Sequence, residues 1–143
     1  LLWMGDSYDR SDGDQTLYLK MYGRKLYEYA IQTVPWVVRD SLDRASLTLT
    51  DVTKVLIHQA NAKLDDAILK RLFKLYGVTE IPEHIMPMTI SWLGNSSVAT
   101  VPTLLDLILR GEMPKQSIQS GDVIVFASVG AGMNVNSVVY GWV

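Results

Sequence analysis

Cysteine is absent from this chain of 143 residues. Its absence excludes disulfide bridges, thiolate metal sites and a cysteine nucleophile from these residues. Basic residues are also too few for a nucleic-acid surface, because 13 lysines and arginines stand against 15 aspartates and glutamates and the net charge is −2. Long apolar runs are missing as well, and none approaches the roughly eighteen residues that a membrane span needs. We therefore expect neither nucleic-acid nor membrane partners.

The residues that are present fit a globular domain. Hydrophobic residues make up 48% of the chain and charged residues 20%, a balance that excludes disorder as the main state. The length suits one domain that buries roughly two thirds of its unfolded surface. Leu1-Leu2-Trp3-Met4 is neither an initiator methionine nor a secretory signal. We expect a fragment of a longer, cytoplasmic protein.

Residues 1–20 are polar and rich in turn formers, and we expect an irregular loop segment there. Aspartates stand at positions 6, 9, 12 and 14. They lack both the alternate-position spacing and the closing glutamate of a calcium-binding EF-hand. We therefore predict no metal site and no cofactor, and we assign residues 21–143 to one domain.

Apolar periodicity predicts the secondary structure of that domain. Positions recurring at three- and four-residue steps predict helices over residues 24–45, 61–76 and 97–109. Short apolar runs predict strands over residues 54–58, 85–92, 123–126 and 134–142. Pro35 should kink the first helix, and Asn61 should cap the second. This order predicts an α/β fold, with a mixed sheet of mostly parallel strands, an antiparallel last strand and flanking helices.

His58 and Asn95 each follow a predicted strand and precede a predicted helix. Open α/β sheets place their ligand sites at such strand ends. A neutral imidazole and a carboxamide brought together there offer two N–H donors to one developing oxyanion. The pair predicts half of an acyl-transfer or enolate-forming site, whose nucleophile the chain lacks. Taken singly, His58 is better explained by contacts with neighbouring backbone, and Asn95 by a helix cap. The motifs around them together favour the site.

The glycine-rich turn Gly130-Ala131-Gly132 leads from one predicted strand into another. A dinucleotide fingerprint needs a helix there, so that interpretation fails. Two interpretations stay open: a structural hairpin turn, and a turn whose bare backbone N–H points into an active site. Lys63, one turn beyond His58, is expected near the mouth of the same site.

His58-Gln59-Ala60-Asn61, then Gly94-Asn95-Ser96-Ser97, then a Gly-x-Gly turn resemble β-ketoacyl-ACP synthase III, a family of thiolase-fold condensing enzymes. The likeness runs from about Met21 to the C-terminus. It implies a fold of two similar α/β halves, of which this chain resembles the carboxy-terminal one. The family's nucleophilic cysteine belongs to the amino-terminal half.

The resemblance also implies an activity: decarboxylative Claisen condensation of an acyl thioester primer with a malonyl thioester, in fatty acid biosynthesis. His58 and Asn95 match the family residues that stabilise the enolate. Ala131, between Gly130 and Gly132, occupies the position of a glycine whose backbone N–H completes an oxyanion hole.

Other residues receive secondary roles by the same resemblance. Gln59, Asn61 and Gly94 support the site. Lys63 stands where well-known members carry an arginine thought to meet the carrier protein or CoA, and it keeps the charge without the bidentate geometry.

The implied partners are acyl-CoA, malonyl-ACP or malonyl-CoA, the acyl carrier protein and the amino-terminal half. The intact enzyme is expected to be a homodimer, and this half alone is expected to be inactive. Two alternatives stay open: a secondary-metabolism ketosynthase or acyltransferase of the same fold, and a non-catalytic partner subunit.

Overall fold

The structure, a computed structural model, describes residues 2–9, 13, 15–130 and 132–143. It begins with an antiparallel hairpin of β1 (Leu2–Asp6) and β2 (Leu17–Met21). The irregular loop predicted for residues 1–20 is therefore wrong where these strands lie. Leucine, tyrosine, tryptophan and methionine dominate both strands, and most of these side chains are exposed. The antiparallel pairing of the two backbones therefore outweighs the polar, turn-forming residues between them. Asp12 and Asp14 of the predicted loop lie outside the described residues.

A three-stranded sheet forms the centre of the fold. Its strands are β3 (Val52–Ile57), β4 (Val123–Val129) and β5 (Val135–Gly141), in that order across the sheet. β3 runs parallel to β4, whereas β5 runs antiparallel to β4. The predicted mixed sheet with an antiparallel last strand is confirmed. Because β3 and β4 are parallel, their carboxyl ends reach the same edge of the sheet.

The three predicted helices are confirmed. They are α1 (Gly23–Arg44), α2 (Ala62–Leu75) and, after the four-residue α3 (Ile90–Leu93), α4 (Thr100–Leu109). Pro35 lies buried inside α1, which continues on both sides of it. Within the described residues, no helix combines the length and the apolar character needed to cross a membrane.

The helices cover both faces of the sheet. Val55 and Ile57 of β3 pack with α1 and α2, whereas Leu56 between them packs with Ile108 of α4. This alternation follows from the two-residue period of a strand. It produces two apolar layers, with the sheet between them and the strand ends open.

The strand predicted over residues 85–92 is wrong. One backbone hydrogen bond joins the segment to β3, from the Val55 N–H to the Ile85 carbonyl at 2.8 Å. Pro87 has no N–H with which to continue a ladder, and the chain then turns into α3. The alternating apolar residues that suggested a strand belong instead to an irregular segment beside the sheet edge.

Candidate active site

A cleft of about 610 Å³ lies at the carboxyl ends of β3 and β4. His58 follows β3 directly, Gly130 follows β4 directly, and Asn95 follows α3 and Gly94. All three line the cleft. The structure thus brings together residues that the sequence distributes over three separate segments.

The walls of the cleft are largely apolar and uncharged. His58 is the one residue with a titratable side chain among the described residues that line it. The apolar lining consists of Val98, Val101, Phe126, Ala127, Val129 and Val138. Such a cleft suits a partly apolar ligand that is fixed by a few polar contacts.

His58 is held through both its backbone and its ring. Its N–H donates to the Ala127 carbonyl at 2.9 Å, which extends the pairing of β3 with β4. Its Nδ1 lies 3.1 Å from the Ser97 carbonyl oxygen. A carbonyl oxygen only accepts, so Nδ1 is the donor and the neutral ring has no proton on Nε2. Donation to a ligand from Nε2 therefore requires the doubly protonated ring, and the prediction that the neutral imidazole suffices as a donor is wrong for a ring in this contact.

Asn95 is held by a contact with a residue two positions later in the chain. Its Oδ1 accepts a hydrogen bond from the Ser97 N–H at 2.9 Å. The oxygen is thereby committed, and the Nδ2 amide group is the part of the side chain that can donate to a ligand. The alternative interpretation of Asn95 as a helix cap is wrong for α4, whose N-cap is Ala99, but its local contact does stabilise a turn at Ser97.

Ser97 connects the two predicted site residues, and the sequence interpretation missed this role. Its N–H binds Asn95 and its carbonyl binds His58. Its φ of 54° lies in the left-handed region, which is uncommon for a residue other than glycine. The available signal was the asparagine two positions earlier, because asparagine side chains often accept a hydrogen bond from the N–H two residues on.

Three residues predicted to support the site take structural positions around it. Gln59 is fully buried and its amide hydrogen-bonds the segment between Pro87 and Ile90. Asn61 caps α2, as predicted, by accepting the Leu64 N–H at 2.9 Å. Gly94 has φ 68° and ψ −162°, a combination that glycine alone adopts readily.

The turn after β4 has the form of a hairpin. The Gly130 N–H donates to the Asn134 carbonyl at 2.8 Å, and the Met133 N–H donates to the Gly130 carbonyl at 2.8 Å. The N–H of Gly130 is therefore committed to the turn. A Cβ at Gly132 would lie 3.3 Å from Asn134 Nδ2. Ala131, the predicted oxyanion donor, lies outside the described residues.

Lys63 and Asp65 lie in the first turn of α2. Lys63 is exposed and does not line the cleft. Asp65 is buried, with 1% of its surface exposed, and neither carboxyl oxygen has a hydrogen-bond partner within the described chain. Burial raises the pKa of the Asp65 carboxyl to about 7. The nearby backbone N–H of Ala60 acts in the opposite direction, although it does not reach hydrogen-bonding geometry to either oxygen. Nothing in the sequence pattern pointed to this group.

Solved structures share this fold. The 3-oxoacyl-(acyl carrier protein) synthase III from Pseudomonas aeruginosa PAO1 superposes with a TM-score of 0.76 and 25% identity, covering 99% of this chain and 39% of that one. The priming β-ketosynthase from the R1128 polyketide biosynthetic pathway superposes with a TM-score of 0.75 and 28% identity. The match covers 99% of this chain and 40% of that one. The fold of this chain is therefore the thiolase-like fold of these synthases.

Sequence relatives identify the family to which the chain belongs within this fold class. The family model described as 3-oxoacyl-[acyl-carrier-protein (ACP)] synthase III C terminal matches residues 42–142. The β-ketoacyl-[acyl-carrier-protein] synthase III of Microcystis aeruginosa is 32% identical over 124 residues, which are 87% of this chain and 34% of that protein. The enzyme of the same name from Porphyra purpurea is 31% identical over the same length. The chain belongs to the synthase III carboxy-terminal family and spans about a third of these curated relatives.

Proposed function

We propose that the chain is the carboxy-terminal half of an acyltransferase that condenses an acyl thioester with a malonyl thioester, with loss of CO2. The observation that supports this most directly is the cleft shared by His58 and Asn95, both hydrogen-bonded to Ser97, in a chain of the synthase III family. The chain has no cysteine. In the proposal, the amino-terminal half supplies the cysteine that holds the acyl primer.

The first chemical step is decarboxylation. The bond between the malonyl carboxylate and the methylene carbon breaks, CO2 leaves, and the electron pair passes into the thioester to form an enolate. Nδ2 of Asn95 donates to the enolate oxygen, and so does Nε2 of His58 in its doubly protonated form. Preorganised donors of this kind lower a barrier by about 3 kcal/mol each.

The second step forms the new carbon–carbon bond. The enolate carbon attacks the carbonyl of the acyl-cysteine, and the cysteine thiolate leaves. The turn of Gly130, Ala131 and Gly132 is proposed to stabilise the oxyanion of that step through the backbone N–H of Ala131. An alanine keeps this N–H but allows less space than glycine would.

The remaining residues are assigned to binding and support. Lys63, exposed in the first turn of α2, is proposed to contact the acyl carrier protein or the phosphates of CoA. The positive end of the α2 dipole lies at the same place. Asn61 fixes the start of α2, and Gly94 lets the chain turn before Asn95. The intact enzyme is proposed to be a homodimer that uses acyl-CoA with malonyl-ACP or malonyl-CoA.

A second candidate is a ketosynthase of secondary metabolism with the same chemistry. The similarity to the priming β-ketosynthase of the R1128 pathway, at 28% identity, favours it. A panel of acyl-CoA primers of different lengths and branching separates the two candidates, because they differ in the primer and share the malonyl step.

CO2 release from malonyl-ACP and malonyl-CoA tests the proposal, measured on the intact reading frame that carries these residues. His58→Ala and Asn95→Ala should each reduce release by about a hundredfold or more. His84→Ala is the matched control, because His84 does not line the cleft, and it should keep the wild-type rate. No release from folded wild type that contains an upstream cysteine would indicate a different acyl-transfer reaction. If that cysteine is also absent, the chain is a non-catalytic partner subunit.

A further inference from the structure

The segment that leads to Asn95 lies along the edge of β3 without forming a strand. Lys54 Nζ donates to the His84 carbonyl at 3.0 Å, and the Val55 N–H donates to the Ile85 carbonyl at 2.8 Å. Beyond Ile85 the backbone of β3 makes no further bond to this segment within the described chain. Something else must therefore fix the course of residues 86–93.

The side-chain amide of Gln59 makes the next contacts. Its Nε2 donates to the Pro87 carbonyl at 3.1 Å, and its Oε1 accepts the N–H groups of Thr89 at 2.8 Å and Ile90 at 2.9 Å. Both N–H groups lie at the start of α3, where a helix provides no internal acceptor. The amide thus supplies the donor and the acceptor that a neighbouring strand would have offered.

These contacts complete a closed path between the two site residues. Gln59 is the neighbour of His58 in sequence, and it anchors the first turn of α3. The Gly94 N–H binds the Ile90 carbonyl at 3.1 Å, so the residue before Asn95 is tied to that same turn. Ser97 closes the path by binding both Asn95 and His58.

We propose that Gln59 is a positioning residue that sets the separation between His58 and Asn95, an inference that rests on the proposed function. Gln59 is 0% exposed, and a buried amide that loses a partner is costly because water cannot replace it. The path through Gln59 therefore has one favourable geometry. A shift of α3 along β3 would move Asn95 while leaving His58 in place.

A double-mutant cycle on the intact enzyme tests this coupling. Gln59→Glu has the same shape and keeps an acceptor for Thr89 and Ile90, but its carboxylate cannot donate to Pro87. We expect kcat for CO2 release to fall about 10- to 100-fold with KM nearly unchanged, because misplacement by about 1 Å has such effects. The double variant that carries both Gln59→Glu and Asn95→Ala should have the same kcat as the single variant Asn95→Ala. Multiplying losses, or a change confined to KM, would overturn the proposal.

Two additions keep the test decisive. Gln59→Met, which is neutral and of similar length, replaces Gln59→Glu in the cycle if the buried charge prevents folding. Gln32→Glu is the matched control, because Gln32 is exposed on α1 and remote from the cleft lining, and it should leave kcat unchanged.

A structural measurement separates this inference from the proposed function. If Asn95→Ala keeps wild-type CO2 release, the proposed function fails, and amide hydrogen exchange then decides the role of Gln59. Faster exchange at Thr89, Ile90 and Gly94 in a folded Gln59 variant, with unchanged exchange in β4, supports the positioning role. Unchanged exchange at these three amides refutes it.

Discussion

His58 and Ser97 are joined by a hydrogen bond of 3.1 Å from the imidazole Nδ1 to the backbone carbonyl. The second histidine of the chain uses its other nitrogen. Nε2 of His84 lies 3.2 Å from a carboxylate oxygen of Glu83, and that oxygen can only accept from the neutral ring. The two histidines therefore carry their proton on different nitrogens when neutral.

This difference predicts a result for nitrogen-15 NMR of the imidazoles. At a pH where both rings are neutral, His58 should show a protonated Nδ1 and a bare Nε2, and His84 the reverse. Two-bond proton–nitrogen correlations distinguish the two tautomers, with His84 as the internal control. A bare Nδ1 at His58 would contradict the contact with Ser97 and would make the neutral ring a possible donor to the enolate.

Asp65 predicts a pH dependence of stability. Its carboxyl has a pKa of about 7 in the folded chain, against 3.8 as the ordinary value, because burial disfavours the charged form. The folded state therefore binds the proton more tightly, and the free energy of unfolding should fall as the pH rises from about 4 to 7. The total fall in the free energy of unfolding should be at most about 4 kcal/mol.

Urea unfolding at several pH values measures this dependence. Asp65→Asn, which stays neutral, should flatten the fall and should be more stable than wild type at pH 8. Asp66→Asn is the matched control, because Asp66 is exposed and pairs with Lys70 at 2.6 Å, a surface contact that contributes less than about 1 kcal/mol. Parallel curves for wild type and Asp65→Asn would show that the carboxyl is not buried in the folded protein.

We predict that a side chain at position 94 strains the backbone next to the site. The φ of 68° and ψ of −162° at Gly94 disfavour any side chain, although no atom within 4 Å would meet a Cβ there. Gly94→Ala should therefore cost about 1–3 kcal/mol of stability or displace Asn95 and reduce CO2 release. Gly141→Ala is the control, since Gly141 has open space and no positive φ. Equal, small effects of both changes would refute the prediction.

We predict that loss of the Asn61 cap lowers the stability of α2 and leaves CO2 release unchanged. The Asn61 side chain accepts the Leu64 N–H at the start of α2. Asn61→Ala should lower the free energy of unfolding by about 1 kcal/mol, whereas Asn61→Asp keeps an acceptor and should stay near wild type. Thermal unfolding of both variants measures the difference. A much larger fall in CO2 release than in stability would assign Asn61 a direct part in the reaction.

The elements around His58 could be predicted because their signals are local. The apolar run from Val55 to Ile57 fits a strand with both faces covered, and Asn61 is a strong helix cap. The strand ends then place His58 beside Gly130, since parallel strands align their carboxyl ends. The pattern offered Asn95 as a signal for the contact with the Ser97 N–H, but it gave no sign that the Ser97 carbonyl contacts His58.

The segment from Ile85 to Trp92 could not be predicted in the same way. Its alternating apolar residues fit a strand, but Pro87, Thr89 and Ile90 form hydrogen bonds to a side chain that is 28 to 31 residues earlier in the chain. Periodicity reports which face is apolar and contains no information on such a distant partner. The burial of the Asp65 carboxyl could not be predicted either, because an aspartate near a helix start is normally exposed.

β3 and β4 are neighbours in the sheet, yet α2, α3 and α4 all lie between them in the chain. Nonlocal pairing of this kind is slow, because a long loop must close before the contacts are gained. The helices can form while this loop is still open, but the cleft cannot. Until β4 joins β3, the Ala127 carbonyl that accepts the His58 N–H is not in place, and the cleft lacks the residues that β4 contributes to its lining.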